Sequence, residues 1–134
     1  MPTASNGDVE LYFETFGSDE DPTLLLVNGL GSQCINFAVE WCERFASHGY
    51  RVVRFDNRDA GLSSKLDGRE YLLWDMALDA VAVLVAAGGD RAHVLGVSMG
   101  GMIVQSLAIA HPERVRSMTS VMSHTGEVAY GRAS

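Results

Sequence analysis

Apolar and polar positions alternate along this chain in two rhythms. Thr23-Leu24-Leu25-Leu26-Val27 is a continuous apolar run ended by Asn28-Gly29. A run of that length suits a parallel strand covered on both faces. Arg51-Val52-Val53-Arg54-Phe55, closed by Asp56-Asn57, reads as a second strand of the same kind. Between them, Phe37, Ala38, Trp41, Cys42 and Phe45 fall on one helical face, predicting a helix over Cys34 to His48 with Gly49 as its C-terminal cap. Upstream, Val9 to Phe16 is rich in β-formers and partly alternates, as expected of a strand near a sheet edge with one wet face. Gly17 to Pro22 is a polar turn.

Downstream, Asn57 to Arg69 reads as a loop, and Tyr71 to Ala87 as a helix ended by Gly88-Gly89. Arg91 to Val97 reads as a strand, Met99 to Ala110 as a helix stopped by His111-Pro112, and Val115 to Met122 as a last strand. Ser123 to Ser134 is small and polar and is expected to be loosely held. This order predicts a single α/β domain over residues 1–134, with a mainly parallel sheet and helices on both faces.

Composition changes that picture little. With 134 residues, 47% of them hydrophobic and 20% charged, the chain can bury a core without metal or disulfide staples. The formal net charge of -7 and the lack of a basic run argue against nucleic acid as a partner. On one helix, Cys34 and Cys42 would stand about 12 Å apart along the axis, beyond disulfide reach. Free buried thiols and a cytoplasmic setting are the expectation. Met1 to Asp8 lacks the pattern of a signal peptide. The longest apolar stretch, Val81 to Ala87, is too short to span a bilayer, so no membrane partner is expected.

The chemistry concentrates in Gly96-Val97-Ser98-Met99-Gly100-Gly101. Gly-x-Ser-x-Gly between a strand and a helix is the pattern of a nucleophile elbow. The serine occupies a strained turn, and side chains two positions either side would collide where strand and helix meet. A serine hydroxyl needs a base to take its proton and donors aimed at the oxyanion formed on attack. The Met99 N–H at the helix start is one candidate donor. The other is the Leu30 N–H, in the Asn28-Gly29-Leu30-Gly31 turn after the strand expected to flank the elbow strand. Gly96-x-Ser98-x-Gly100-Gly101 lacks dinucleotide-loop spacing, and no histidine–cysteine cluster has metal-ligand spacing, so no cofactor is expected.

Several segments together carry a resemblance: Leu24 to Gly31, Arg54-Phe55-Asp56-Asn57-Arg58-Asp59-Ala60-Gly61-Leu62-Ser63, His93 to Gly101, and His111 to Ser123. The chain resembles the N-terminal part of an α/β-hydrolase-fold serine hydrolase, most of all the esterase group that includes the aclacinomycin methylesterases. The resemblance reaches to about Gly126. Asn28 stands where many members have histidine; the backbone donors survive that change. It implies a truncated α/β-hydrolase fold acting on a small-molecule ester through an acyl-enzyme on Ser98. Members are roughly twice as long and carry a lid and then the acid and base, in the order serine, acid, histidine; the matching stretch stops before these.

Four histidines could serve as base. His48 lies near a helix end, His93 at the far end of the elbow strand, and His111 roughly 18 Å from the start of the elbow helix. His124 follows the strand beside the elbow strand, at the edge where α/β sheets bind ligands, and is the best candidate. Asp56 and Glu127 are possible partners for it, although Asp56 reads more naturally as the organiser of the Arg58 turn. Val115 to Met122 would form an open apolar sheet edge, which invites self-association about a two-fold axis; a partner chain could then supply a histidine. Two functions compete: a small-ester hydrolase, with lactones included because they need the same parts, and an impaired hydrolase domain that binds ligands or oligomerises. They are told apart by whether a base reaches Ser98.

Overall fold

The computed structural model describes residues 2–126. Six strands, β1 (Thr3–Asn6), β2 (Val9–Phe16), β3 (Thr23–Val27), β4 (Arg51–Phe55), β5 (Ala92–Val97) and β6 (Val115–Val121), form one sheet in the order β1-β2-β4-β3-β5-β6. β4, β3, β5 and β6 run parallel, while β1 and β2 add an antiparallel edge. The helices are α1 (Val39–Ser47), α2 (Leu73–Ala86) and α3 (Met99–Ala110).

Alternate strand residues face opposite layers. Leu25, Val27, Val53, Phe55 and Val94 pack with α2 and α3, whereas Leu24, Leu26 and Val52 pack with Cys42 of α1. Leu24 to Val27 are all buried, as a strand covered on both faces requires. The expected α/β layering with helices on both faces is therefore the observed one.

Three local expectations change. The single helix over Cys34 to His48 is instead a 3-10 turn at Cys34–Asn36 followed by α1. Side chains take the backbone groups that would have continued the helix. The Cys34 N–H donates to Asp56 Oδ1 at 2.6 Å, and Asn36 Oδ1 accepts from the Gln33 N–H. The Phe37 carbonyl is held by the Arg54 guanidinium, which also pairs with Glu14. Arg54 thus sits buried inside a strand, with its charge held by Glu14 and the Phe37 carbonyl and its guanidinium 5.1 Å from the Phe16 ring centre. The rise along a shared helix consequently says nothing about Cys34 and Cys42. Both are nonetheless free and buried, and burial pushes the Cys34 thiol up to about 12.

Second, β1 precedes β2 and forms the sheet edge, so β2 lies inside it. Four mostly polar residues give β1 no periodic signal; its one local clue is Gly7-Asp8, the turn residues of the hairpin. Third, β6 is the opposite edge and is exposed along Arg116 to Val121. Its apolar exposure is limited to Met118 and Val121, with Met122 just beyond, so the edge is less apolar than expected.

Asp79 contributes a buried ion pair. In α2 it is 1% exposed and receives Arg58 Nε at 2.6 Å and Nη2 at 2.9 Å, with Asn6 Nδ2 completing its shell at 2.8 Å. Arg58 also stacks on Tyr71, 4.8 Å from the ring centre. The loop over residues 57–69 is thereby fastened to α2 and to the β1 hairpin. A lone acid in the apolar run Met76-Ala77-Leu78-Asp79-Ala80-Val81 was a legible signal of such a pairing, because a buried carboxylate needs a partner.

Candidate active site

Register places the site. Val27 of β3 pairs with Gly96 of β5, so the turn after β3 emerges beside the turn after β5. Ser98 occupies the second turn at φ 56° and ψ -120°, a conformation rarely adopted by a residue with a side chain. Holding it there costs about 1–3 kcal/mol, which surrounding packing must offset.

The packing is close on all sides. A Cβ on Gly96 would stand 2.0 Å from the Gly100 carbonyl oxygen, and one on Gly100 would stand 2.1 Å from that of Val27. These are the collisions expected from the Gly-x-Ser-x-Gly spacing. Gly29 abuts the serine itself: a Cβ there would lie 3.3 Å from Ser98 Cβ. Gly29, unremarked in the sequence beyond its turn, thus joins Gly100 in letting the end of β3 and its turn approach the elbow.

Both expected donors are free. Among the described residues, neither the Leu30 N–H nor the Met99 N–H donates to any protein acceptor. Met99 opens α3, so its N–H points out of the helix with the positive end of the dipole behind it. Asn28, in the position where histidine was the family expectation, is buried and shapes the turn from within. Its Nδ2 donates to the Gln33 carbonyl at 2.7 Å, and its own carbonyl accepts from Asn57 Nδ2 at 3.0 Å.

Among the described residues, no base is bonded to the serine. Ser98 is exposed, and among the described residues its hydroxyl has no hydrogen-bond partner. His124 is exposed as well; its Nδ1 accepts from the Gly126 N–H at 2.9 Å, which leaves Nε2 unused. The chain beside it does reach the elbow helix: a Cβ on Gly101 would lie 2.5 Å from Ser123 Cβ, and Gln105 Nε2 donates to the His124 carbonyl at 3.1 Å. Asp56 is no partner for it. Its carboxylate accepts from the N–H groups of Cys34 and Leu62, and so organises two turns. Glu127 lies outside the described residues. His48 binds the Arg44 carbonyl, His93 shares 2.7 Å with Ser117 Oγ, and His111 ends α3; none stands near Ser98. A hollow of about 610 Å³ beside Trp41 and Tyr50 belongs to the opposite end of the strands and has no bearing on the elbow.

A parallel sheet with an antiparallel edge, helices on both faces and a strained serine between β5 and α3 defines an α/β hydrolase. The alpha/beta hydrolase fold family model matches residues 22–133, and the chain belongs to that family. Rhodomycin D methylesterase DauP of Streptomyces sp. (strain C5) is 37% identical over 134 residues, covering 97% of this chain and 45% of that protein. The solved structure of Est816, described as an N-acyl homoserine lactone degrading enzyme, superposes with a TM-score of 0.79 at 31% identity, covering 87% of this chain and 43% of that one. The enol-lactonase from Burkholderia xenovorans LB400 gives a TM-score of 0.82 at 25% identity, over 91% and 46% of the two chains. The chain therefore spans less than half the length of each. Among the described residues, no helix is long and apolar enough to cross a membrane.

Proposed function

We propose that this chain carries the nucleophile half of a carboxylic ester hydrolase that works through an acyl-enzyme on Ser98. The observation that carries this reading is the strained Ser98 held against a turn whose Leu30 N–H, like that of Met99, is unpaired. Ser98 Oγ attacks the ester carbonyl, and the two N–H groups receive the negative charge that forms on its oxygen. His124 takes the hydroxyl proton and returns it to the departing alcohol as the ester C–O bond breaks. Water then releases the acid from Ser98 by the reverse proton path. Rotation of the His124 side chain away from Gly126 would bring Nε2 into play, and the packing of Ser123 on Gly101 already holds its backbone beside the elbow. Lactones are served by the same groups. The names of relatives, a methylesterase and lactone-degrading enzymes, support an ester or lactone as substrate. Two buried, free cysteines favour a cytoplasmic setting.

A fluorophosphonate probe tests the reading. The wild-type chain is expected to label and Ser98→Ala to stay unlabelled, while His124→Ala labels at least about 100-fold more slowly. Wild-type protein that does not label would defeat the acyl-enzyme reading, and an unchanged rate in the His124 variant would remove that residue from it.

The unpartnered Ser98 hydroxyl favours a second reading, in which the platform is built but idle and the chain serves as a binding or oligomerising module. β6 then supplies the contact. Its outer side offers a row of backbone groups from Arg116 to Val121, which a second copy could pair about a two-fold axis. Light scattering across a size-exclusion peak is expected to report a homodimer; a folded monomer would rule out the pairing.

A further inference from the structure

The turn that carries the Leu30 N–H has little backbone preference of its own. Gly29 lacks a Cβ and so can leave β3 in several directions. Its peptide with Leu30 is held by one bond: the Gly29 carbonyl accepts from the Ser32 N–H at 3.3 Å, closing a β-turn with Gly31 in the left-handed region at φ 71°. The C=O and N–H of one planar trans peptide point in opposite directions. The Leu30 N–H therefore faces out of the turn for as long as that long bond keeps its place.

The preceding peptide is held at two points. A Cβ on Gly100 would lie 2.7 Å from the Asn28 carbonyl oxygen, so α3 closes on it, and Asn57 Nδ2 donates to the same oxygen at 3.0 Å. Asn57 stands on a fixed base, the turn after β4. Its own carbonyl accepts from the Ala60 N–H at 3.0 Å, and the adjacent Asp56 carboxylate holds the N–H groups of Cys34 and Leu62. Asn57 is 3% exposed, and its Oδ1 is sealed from solvent without a partner among the described residues. A buried amide with an unpaired acceptor costs stability. An apolar side chain of the same size would avoid that cost, so what Asn57 supplies is its donor.

We infer that Asn57 is a positioning residue for the reaction at Ser98: by fixing the Asn28 carbonyl, it keeps the Leu30 N–H turned toward the oxyanion that forms there. The inference rests on the acyl-enzyme reading and adds to it a residue that touches no reacting atom. Without the Asn57 bond, the Asn28–Gly29 peptide is free to rock, Gly29 offers no steric stop, and the Leu30 N–H swings away from the developing charge. The Met99 N–H, set by the first turn of α3, keeps its direction.

The test compares the full wild-type chain with Asn57→Leu. That change removes one buried unpaired acceptor, Asn57 Oδ1, and creates another, the Asn28 carbonyl. The variant should therefore unfold within about 4 °C of wild type. The backbone amide NMR signals of Gly29 and Leu30 should shift and broaden by exchange on the μs–ms scale, while that of Met99 stays sharp. Fluorophosphonate labelling at saturating probe should slow about 10- to 100-fold, short of the loss from deleting an oxyanion donor outright. The probe concentration for half-maximal rate should stay within about twofold, because the donors act on the transition state. Should Asn57→Leu fail to fold, Asn57→Ser, whose hydroxyl falls short of the Asn28 carbonyl, carries the same expectations. Failure of both to fold would make Asn57 a residue of the core and overturn the inference. So would an unmoved Leu30 amide, an unchanged maximal rate, or a loss confined to probe binding. If the wild-type chain itself does not label, the acyl-enzyme reading falls alone, and the Leu30 amide signal still decides the role of Asn57.

Discussion

Alanine in place of Gly100 is expected to destabilise the fold by roughly 3 kcal/mol or more, the upper range of overpacking penalties. The added Cβ would lie 2.1 Å from the Val27 carbonyl oxygen and 2.7 Å from that of Asn28. These are backbone atoms at the end of β3 and of the residue after it, so neither can step aside as a flexible side chain would. Relief requires α3 to move away from β3, and that movement would also draw Ser98 away from Gly29. Loss of fluorophosphonate labelling is therefore expected together with loss of stability. Gly49→Ala provides the contrast. That residue has φ 89° but nothing within 4 Å of the new Cβ, so it should cost only backbone strain, about 1 kcal/mol. Urea midpoints for the two variants check the pair, and a Gly100→Ala midpoint no lower than that of Gly49→Ala would refute the close-approach account.

Removing the Asp79 carboxylate is expected to cost about 3–5 kcal/mol, because Asp79→Ala leaves a buried guanidinium with no counter-charge. Arg58 is 8% exposed and Asp79 1%, so water cannot readily take over the lost bonds. Its charged form is favoured in the native state chiefly by the hydrogen bonds to Asp79, which raise the guanidinium above its usual range. The Asn6 amide would lose its acceptor too, loosening β1. A double replacement, Arg58→Met with Asp79→Leu, should recover most of the loss, since a buried ion pair and an apolar pair of similar volume are often close in stability. If Asp79→Ala and the double variant unfold at the same urea concentration, the cost lies in packing rather than in an unpaired charge.

The layered fold was readable because its signals are local. The apolar block Leu24 to Val27 and the helical face of α2 report burial directly. The order of elements then left few arrangements of a right-handed parallel sheet. The elbow was readable for a different reason: Gly96 answers a collision with Gly100 and Gly101, neighbours in sequence, so that collision is written within six residues, whereas Gly100 answers Val27 and Asn28 of the neighbouring strand and its turn. The break between Cys34–Asn36 and α1 was not readable. Phe37 to Phe45 carries a true helical stripe, and what interrupts the helix is Arg54 of β4 and Asp56 just after it reaching in. β1 was missed because a four-residue polar edge strand has little of its own to bury.

The candidate site divides along the same line. Sequence alone determined that a serine stands at a strained strand–helix turn, that glycine must flank it, and that a glycine-rich turn follows β3. Each of these depends on backbone sterics or on strand order. Only the tertiary structure decided that Gly29 lies against Ser98, that Asp56 is consumed in holding two turns, and that Asn57 Oδ1 is buried without a partner among the described residues. The same holds for the Ser98 hydroxyl, which has no bonded base among the described residues. The reason is physical: hydrogen-bond satisfaction is a property of every group that folding brings together, and those groups come from β3, β4, α2 and α3, far apart along the chain.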